Sequence, residues 1–314
     1  MKVGIITGKS GNTLVKHLND LGHTVYVVTG DLENGGVNLA KDYYHNYFNV
    51  KEDNTLQYKN ICEWLLENGI EGFILGTGVW FAHDIAIMLN NSHGIPCSHN
   101  IECISVFKDK IQTKELFEEY GLKTPAYQSL YNKTKDVTLT TPFVVKSNID
   151  LFPVWLCHKI SDFNIFKDTI NDSVWSKGIL IEQFIEGNDL TIPVFTSIGN
   201  VEESCLVYWS KQKNYKLEGF GELTNDKIPQ NVESILLTEC NSMISGIGYY
   251  GVCRFDIRVS NNEYYYLEIN SVVSIRDEGT SFKAMKDVGI NYVEKAVEIY
   301  IKNITSQIKT KLLK

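Results

Sequence analysis

The chain has 314 residues, 43% hydrophobic and 22% charged, with a net charge of −8. That length and mix imply a sizeable buried core in two or three structural units, which excludes a disordered or fibrous protein. The acidic balance argues against nucleic acid or an anionic membrane as the main partner.

Residues 1 to about 100 alternate strand and helix, the pattern of a parallel sheet with covered faces. "KVGIIT" and "HTVYVVT" are strands around the helix "NTLVKHLNDLG"; "LQYKNICEWLLENG" is a helix, "IEGFILGTG" a strand and "AHDIAIMLNNSHG" a helix. "GIITGKS" resembles a P-loop but is one residue short between its glycines, and Gly4 lies inside the strand, so a tight turn is the better reading. From about 101 the helix "DKIQTKELFEEYG" leads into "TPAYQSL", "TPFVVKS" and "GILIEQFIEG". From about 190 the chain is strand-rich through "TIPVFTS", "ESCLVYWS", "GVCRFDIRV" and "EYYYLEIN", and it ends in helices. These shifts suggest three domains: 1–100, 101–187 and 188–314.

The seven cysteines are scattered, odd in number and never in a C-x-x-C pair, the usage of a reducing compartment. "CSH" at 97–99 lacks a second ligand pair at zinc spacing, and His83 reads as a packing or capping residue. The first residues are too short in their apolar run for a signal peptide, and no run approaches a membrane span. A cytoplasmic location is expected.

The hairpin at 252–270 carries the chemistry. A three-residue loop at Asn261, Asn262 and Glu263 sets Asp256 opposite Glu268 and Arg254 opposite Asn270, with Arg258 facing Tyr266. Phe255, Ile257, Val259, Ile269, Leu267 and Tyr265 then form the other, apolar face. A two-residue loop would mix the faces, and register follows the pattern that keeps them pure. Two carboxylates opposed at about 5 Å are unfavourable unless a cation lies between them. Arg254 and Arg258 flank the pair and could supply it. Alternatively, two carboxylates and an amide oxygen suit Mg²⁺ or Mn²⁺. A solvated hairpin face with an Arg–Asp cluster is the plainer alternative.

"CRFDIRVSNNEYYYLEIN" resembles the metal-binding end of the ATP-grasp enzymes, in particular the D-alanine–D-alanine ligase branch. "DKIQTKELFEEYGLKTPAY", "TPFVVKS" and "ILIEQFIEGNDLTIPVF" agree in order and spacing, so the resemblance covers nearly the whole chain. It implies an ATP-grasp fold of the α/β (α+β) class, with an N-terminal Rossmann-like domain. It implies a ligase that binds ATP and Mg²⁺ and joins a carboxylate to an amine through an acylphosphate. Asp256, Glu268 and Asn270 would hold metal, and Lys110 and Lys146 would approach phosphate. Glu182 and Gln183, with the backbone up to Ile185, would meet the purine, and Asp189 the ribose. One of Lys211, Lys213 and Lys216, with Lys216 favoured, would meet phosphate from a loop. Arg254 and Lys146 are the implied catalytic groups, Arg254 acting on the oxyanion of the tetrahedral intermediate. Arg276 and Ser281 are candidate substrate contacts; a surface ion pair of Arg276 with Asp277 is an equal alternative. The partners would be small molecules, with a homodimer open.

Two stretches depart from the family. The glycine-rich phosphate flap is replaced by "SNIDLFPVWLCHK", which has no glycine. The Pro-Gly turn after the Glu-x-Asn strand is replaced by "SVVSIRDEGTSF", where Val272 and Val273 are expected to crowd a small acceptor, making D-alanyl-D-alanine a poor product. The first departure keeps a second reading open: a nucleotide-binding sensor or partner subunit without turnover.

Overall fold

The computed structural model describes residues 1–8, 11–30, 46–50, 54–76, 81–149, 154–205, 207–208, 230–273, 275 and 289–313. The N-terminal strands β1 (Lys2–Ile6), β2 (Thr24–Thr29), β3 (Asn46–Asn49) and β4 (Gly72–Leu75) form a parallel sheet in the order β3-β2-β1-β4. Helices α1 (Asn12–Asp20), α2 (Thr55–Glu67) and α3 (Ala82–Ile87) connect and cover it. α1 closes at Gly22, whose φ of 79° is the left-handed conformation glycine adopts without strain. Strand β3 and helix α4 (Ile101–Lys108) go beyond the expected elements. α4 is short and stops at Asp109, whose side chain caps the next helix, α5 (Lys110–Glu119), by accepting from Gln112 N.

A second, antiparallel sheet runs β5-β8-β6-β7, from β5 (Tyr127–Leu130), β6 (Phe143–Ser147), β7 (Trp155–Cys157) and β8 (Ile179–Gln183). Helices α6 (Ile160–Thr169) and α7 (Asp172–Trp175) cover it, and it keeps a core of its own around Phe143, Phe163, Phe166 and Trp175. The third sheet is β10-β9-β12-β13, with β11 (Val207–Tyr208) also on β9. Its strands are β9 (Asn188–Ser197), β10 (Asn200–Ser204), β12 (Gly251–Ser260) and β13 (Glu263–Asn270), with helix α8 (Gln230–Gly246) packed on it. The first and third sheets share their cores: Ile74 and Val27 pack in one cluster with Phe195, Val252 and Tyr300 of the last helix, α9 (Tyr292–Leu312).

α9 also joins those sheets by polar contacts. Buried Asn303 donates to Ser98 O and Thr196 O, each at 3.1 Å, and accepts from Ile198 N at 3.0 Å. Beside it, His99 is wholly buried against the Tyr300 ring, its Nδ1 2.7 Å from Ser98 Oγ. Burial lowers the His99 pKa from 6.5 to about 3. Between those values the unfolded chain binds a proton that the folded chain refuses. The contribution is therefore complete above pH 6.5 and is lost as pH falls, by about 1.4 kcal/mol per pH unit. Unfolding free energies from urea titrations should be level from pH 7.5 to 6.5 and fall with this slope from pH 6.5 to 5, and His99→Gln should flatten it. An equal slope in the variant would place the acid sensitivity elsewhere.

All seven cysteines are buried and unpaired, and burial raises the thiol of Cys97 to about 12. Among the described residues, no helix is long and apolar enough to cross a membrane.

Candidate functional site

The β12–β13 hairpin holds Asp256 opposite Glu268 and Arg254 opposite Asn270, as the face pattern requires. The turn differs from expectation. Ser260 pairs with Glu263, leaving two turn residues, Asn261 and Asn262, at φ 48° and 64°. Such a turn needs positive φ twice, which asparagine tolerates better than most residues, and its twist matches a hairpin. The register shift this causes is corrected at a bulge, where Asp256 pairs with Glu268 but Ile257 pairs with Tyr266, so Leu267 is the extra residue. The expected pairings of Ile257 with Leu267 and Arg258 with Tyr266 are replaced. Tyr266 is buried against Phe117 and Phe255 rather than sharing the face of Glu268.

On the polar face, Arg254 grips Asp256 with both prongs, Nε to Oδ1 and Nη2 to Oδ2, each at 2.8 Å. Asn270 Nδ2 donates to Asp256 Oδ2 at 2.8 Å and to Glu268 Oε1 at 3.2 Å, tying the carboxylates together. Burial pushes the Asp256 carboxyl up to about 6 against the pull of Arg254. Glu268 moves the other way. Burial would raise it, but Lys146 and Lys110, then Asn270 and Arg254, hold it below its usual value. The proposed second cation, Arg258, lies elsewhere. It is paired across β12 and β9 with Asp189, Nε to Oδ1 at 2.8 Å, and donates to Ile185 O at 2.9 Å.

Lys146 on β6 reaches Glu182 Oε1 on the neighbouring strand β8, at 3.3 Å. Burial opposes its charge, but Glu182 and Glu268 outweigh burial and raise its pKa. The other oxygen of Glu182 lies 2.6 Å from Lys114 Nζ, close but poorly directed, so this contact is an ion pair rather than an aligned hydrogen bond. Burial would raise Glu182, and the two lysines reverse this. Lys110 opens α5, which is fixed to β6 through Asn148: the Asn148 side chain accepts from Ile111 N at 2.9 Å and donates to Asp109 Oδ2 at 2.9 Å. Lys110 and Lys146 thereby come to the same side as Glu268. Lys114 and Asn148 lie outside the expected site.

The segment after β8 crosses close to the third sheet. The Gln183 side chain is turned away to Pro142 O, at 2.8 Å, and its backbone N–H donates to Ala126 O, also at 2.8 Å. Gly187 has no room for a side chain, since a Cβ there would lie 1.9 Å from Val259 O. Gly187→Ala must therefore move the segment carrying Ile185 and Asp189, and is expected to cost about 1–3 kcal/mol. Thermal unfolding checks this; an unchanged melting temperature would mean the backbone yields without strain.

Relatives in sequence include the D-alanine–D-alanine ligase of Desulforudis audaxviator, 25% identical over 255 residues that span 74% of this chain and 81% of that protein. The carbamoyl-phosphate synthase of Methanobrevibacter smithii is 25% identical over 203 residues, 61% of this chain and 52% of that protein. No family model matches the chain. In structure, the chain is similar to the D-alanine–D-alanine ligase of Bacillus anthracis complexed with ATP, over 99% of both chains, with a TM-score of 0.73 at 18% identity. The chain has the ATP-grasp fold of these structures. The L-amino acid ligase of Bacillus licheniformis is similar over 94% of this chain and 74% of that one, with a TM-score of 0.74 at 18% identity.

In this chain, Lys211, Lys213, Lys216, Arg276 and Ser281 lie outside the described residues, as do residues 150–153 of "SNIDLFPVWLCHK". The turn after Asn270 is described through Val273 and at Ile275. Val273 and Ile275 are buried in the core shared with α9, and Val272 is half-buried against the other core. Val273 therefore does not crowd an acceptor as expected. His83 contacts Ser105 Oγ at 2.9 Å, joining α3 to α4. Among the described residues, no three His, Cys, Asp or Glu side chains converge to hold a metal, which leaves the two carboxylates and amide of the hairpin as the oxygen-rich set.

Proposed function

We propose that this chain is an ATP-dependent carboxylate–amine ligase, joining two amino acids or amino-acid-like metabolites through an acylphosphate and releasing ADP and phosphate. The observation that carries the reading is the pair Asp256–Glu268, the first buried and the second half-buried, bridged by Asn270 and faced by Lys146 and Lys110. The ligase relatives and the likeness to an ATP-complexed ligase support it. A hairpin serving only stability would gain little from carboxylates that burial disfavours.

The donor set fits a hard divalent cation: Asp256 and Glu268 would supply oxygen, and Asn270 would offer its amide oxygen in place of the nitrogen. Asp256, raised to about 6 by burial, is a carboxylate whose charge such a cation would stabilise. Bound Mg²⁺ would neutralise phosphate charge. The protein then mainly positions groups, as phosphoryl transfer requires. Lys146, held by Glu182, and Lys110 present ammonium charge to the phosphates. The backbone from Gln183 to Ile185 lines the base. Asp189, held by Arg258, would meet the ribose. Arg254, fixed in plane by Asp256, sits beside the metal set to stabilise developing negative charge on the reacting carbonyl oxygen. The three-part division at 100 and 187 is proposed with this reading, nucleotide lying between the second and third sheets.

An ADP-release assay against amino acids, alone and in pairs, tests the function. ADP formation that needs two amino acids is expected. ATP binding without release under any pairing would favour the sensor reading, which the missing glycines motivate. D-alanine alone is an informative arm: efficient dimerisation would assign the acceptor of the D-alanine ligases, whereas preference for mixed pairs would assign a broader amino-acid ligase.

A further inference from the structure

We infer that Lys114 is a positioning residue that fixes the nucleotide strand β8 and the metal strand β13 relative to each other, an inference that rests on the function proposed above. Lys114 lies three residues after Ile111 and three before Phe117, both buried, so the apolar face of α5 carries its ammonium inward, to zero exposure. An ammonium has three donors, and here two make hydrogen bonds while the charge pairs with a carboxylate, each contact on a different segment. Nζ is 2.6 Å from Glu182 Oε2, 2.7 Å from Thr124 Oγ1 and 3.2 Å from Tyr266 O. Thr124 Oγ1 itself donates to Tyr266 O at 2.8 Å, and Tyr266 N donates to Lys123 O at 2.8 Å.

Tyr266 stands immediately before the bulge that returns Glu268 to its place opposite Asp256. β13 is the sheet's edge, so its outward backbone groups need partners from outside the sheet. Lys114 and residues 123–124 supply them at the bulge. At its other contact, Lys114 pairs with one oxygen of Glu182 while Lys146 takes the other. One ammonium thus touches both the carboxylate that orients Lys146 and the carbonyl that sets the register of Glu268. Stability alone does not call for this arrangement, because a well-packed apolar side chain often replaces a buried ion pair at little cost. The charge matters when Glu182 must stay ionised to hold Lys146.

The test is calorimetric titration of ATP into the full chain with and without Mg²⁺, with circular dichroism as the check on folding. In the unaltered chain Mg²⁺ should strengthen ATP binding. In Lys114→Met that strengthening should fall about tenfold, because the two strands no longer hold a common geometry. In Thr124→Val, which keeps every charge, it should fall about threefold. Adenosine affinity should change by less than about twofold in both variants. A folded Lys114→Met whose Mg²⁺ enhancement equals that of the unaltered chain would overturn the inference, however much its melting temperature drops. If Lys114→Met does not fold, Thr124→Val decides: an unchanged enhancement overturns the inference and a reduced one supports it. Absence of ATP binding by the unaltered chain would overturn the proposed function and this inference together.

Discussion

Glu268→Gln is expected to yield a folded protein that releases ADP about 10³-fold more slowly, the result of removing several kcal/mol of charge stabilisation at the metal. The substitution keeps the shape of the side chain and a group that Asn270 can pair with, and it removes one of two opposed carboxylates. The melting temperature should fall somewhat, because Lys146 and Lys110 outweigh burial in favouring the charge that is removed. Asp256→Asn should lose activity to the same degree and lose stability for a different reason. Asp256 accepts both prongs of Arg254, so the amide forfeits one charge-assisted bond and leaves a half-buried guanidinium without the carboxylate it pairs with. That should cost about 1.5–3 kcal/mol. Kinetics at saturating and limiting Mg²⁺, with melting curves, check both variants. Near-normal turnover of both at limiting Mg²⁺ would show that the hairpin holds no metal.

Lys146→Met should weaken ATP by about 1.5–3 kcal/mol, roughly 10- to 150-fold, while leaving adenosine nearly unchanged. The difference follows from geometry. Lys146 lies on the inner strand β6 with Glu182 on one side and the charge of Glu268 within range, so its ammonium serves acidic groups and not the base. The strand itself should hold its place, because Glu182 keeps Lys114 and stays ionised without its second partner. Comparing the two ligands separates the effects. Equal weakening of ATP and adenosine would mean that Lys146 supports the strand or touches the purine.

Much of this site is legible in the residues. The opposition of Asp256 to Glu268 follows from keeping Phe255 and Ile269 on one face, and the structure holds that pairing. The turn was not legible from the same pattern, because a two-residue turn with one bulged residue gives the same register at 254–256 as a three-residue loop. Adjacent Asn261 and Asn262, both suited to positive φ, were the overlooked signal. Lys114 carries no motif. Its place on the apolar face with Ile111 and Phe117 marks it as buried, but the partners of a buried ammonium come from segments far along the chain. The same holds for Arg258, whose partner depends on how β9 registers against β12. The shared cores of the first and third sheets depend on α9 docking between them, a packing that the strand–helix alternation does not specify.

The most direct measurement follows an oxygen atom. The chain is incubated with ATP, Mg²⁺ and a mixture of amino acids labelled with ¹⁸O in their carboxylates, and the released phosphate is examined by mass spectrometry. Ligation through an acylphosphate predicts phosphate carrying one ¹⁸O, formed together with a dipeptide and lost in Glu268→Gln. ADP formed with unlabelled phosphate would contradict the account, because water rather than a carboxylate would then be taking the phosphoryl group.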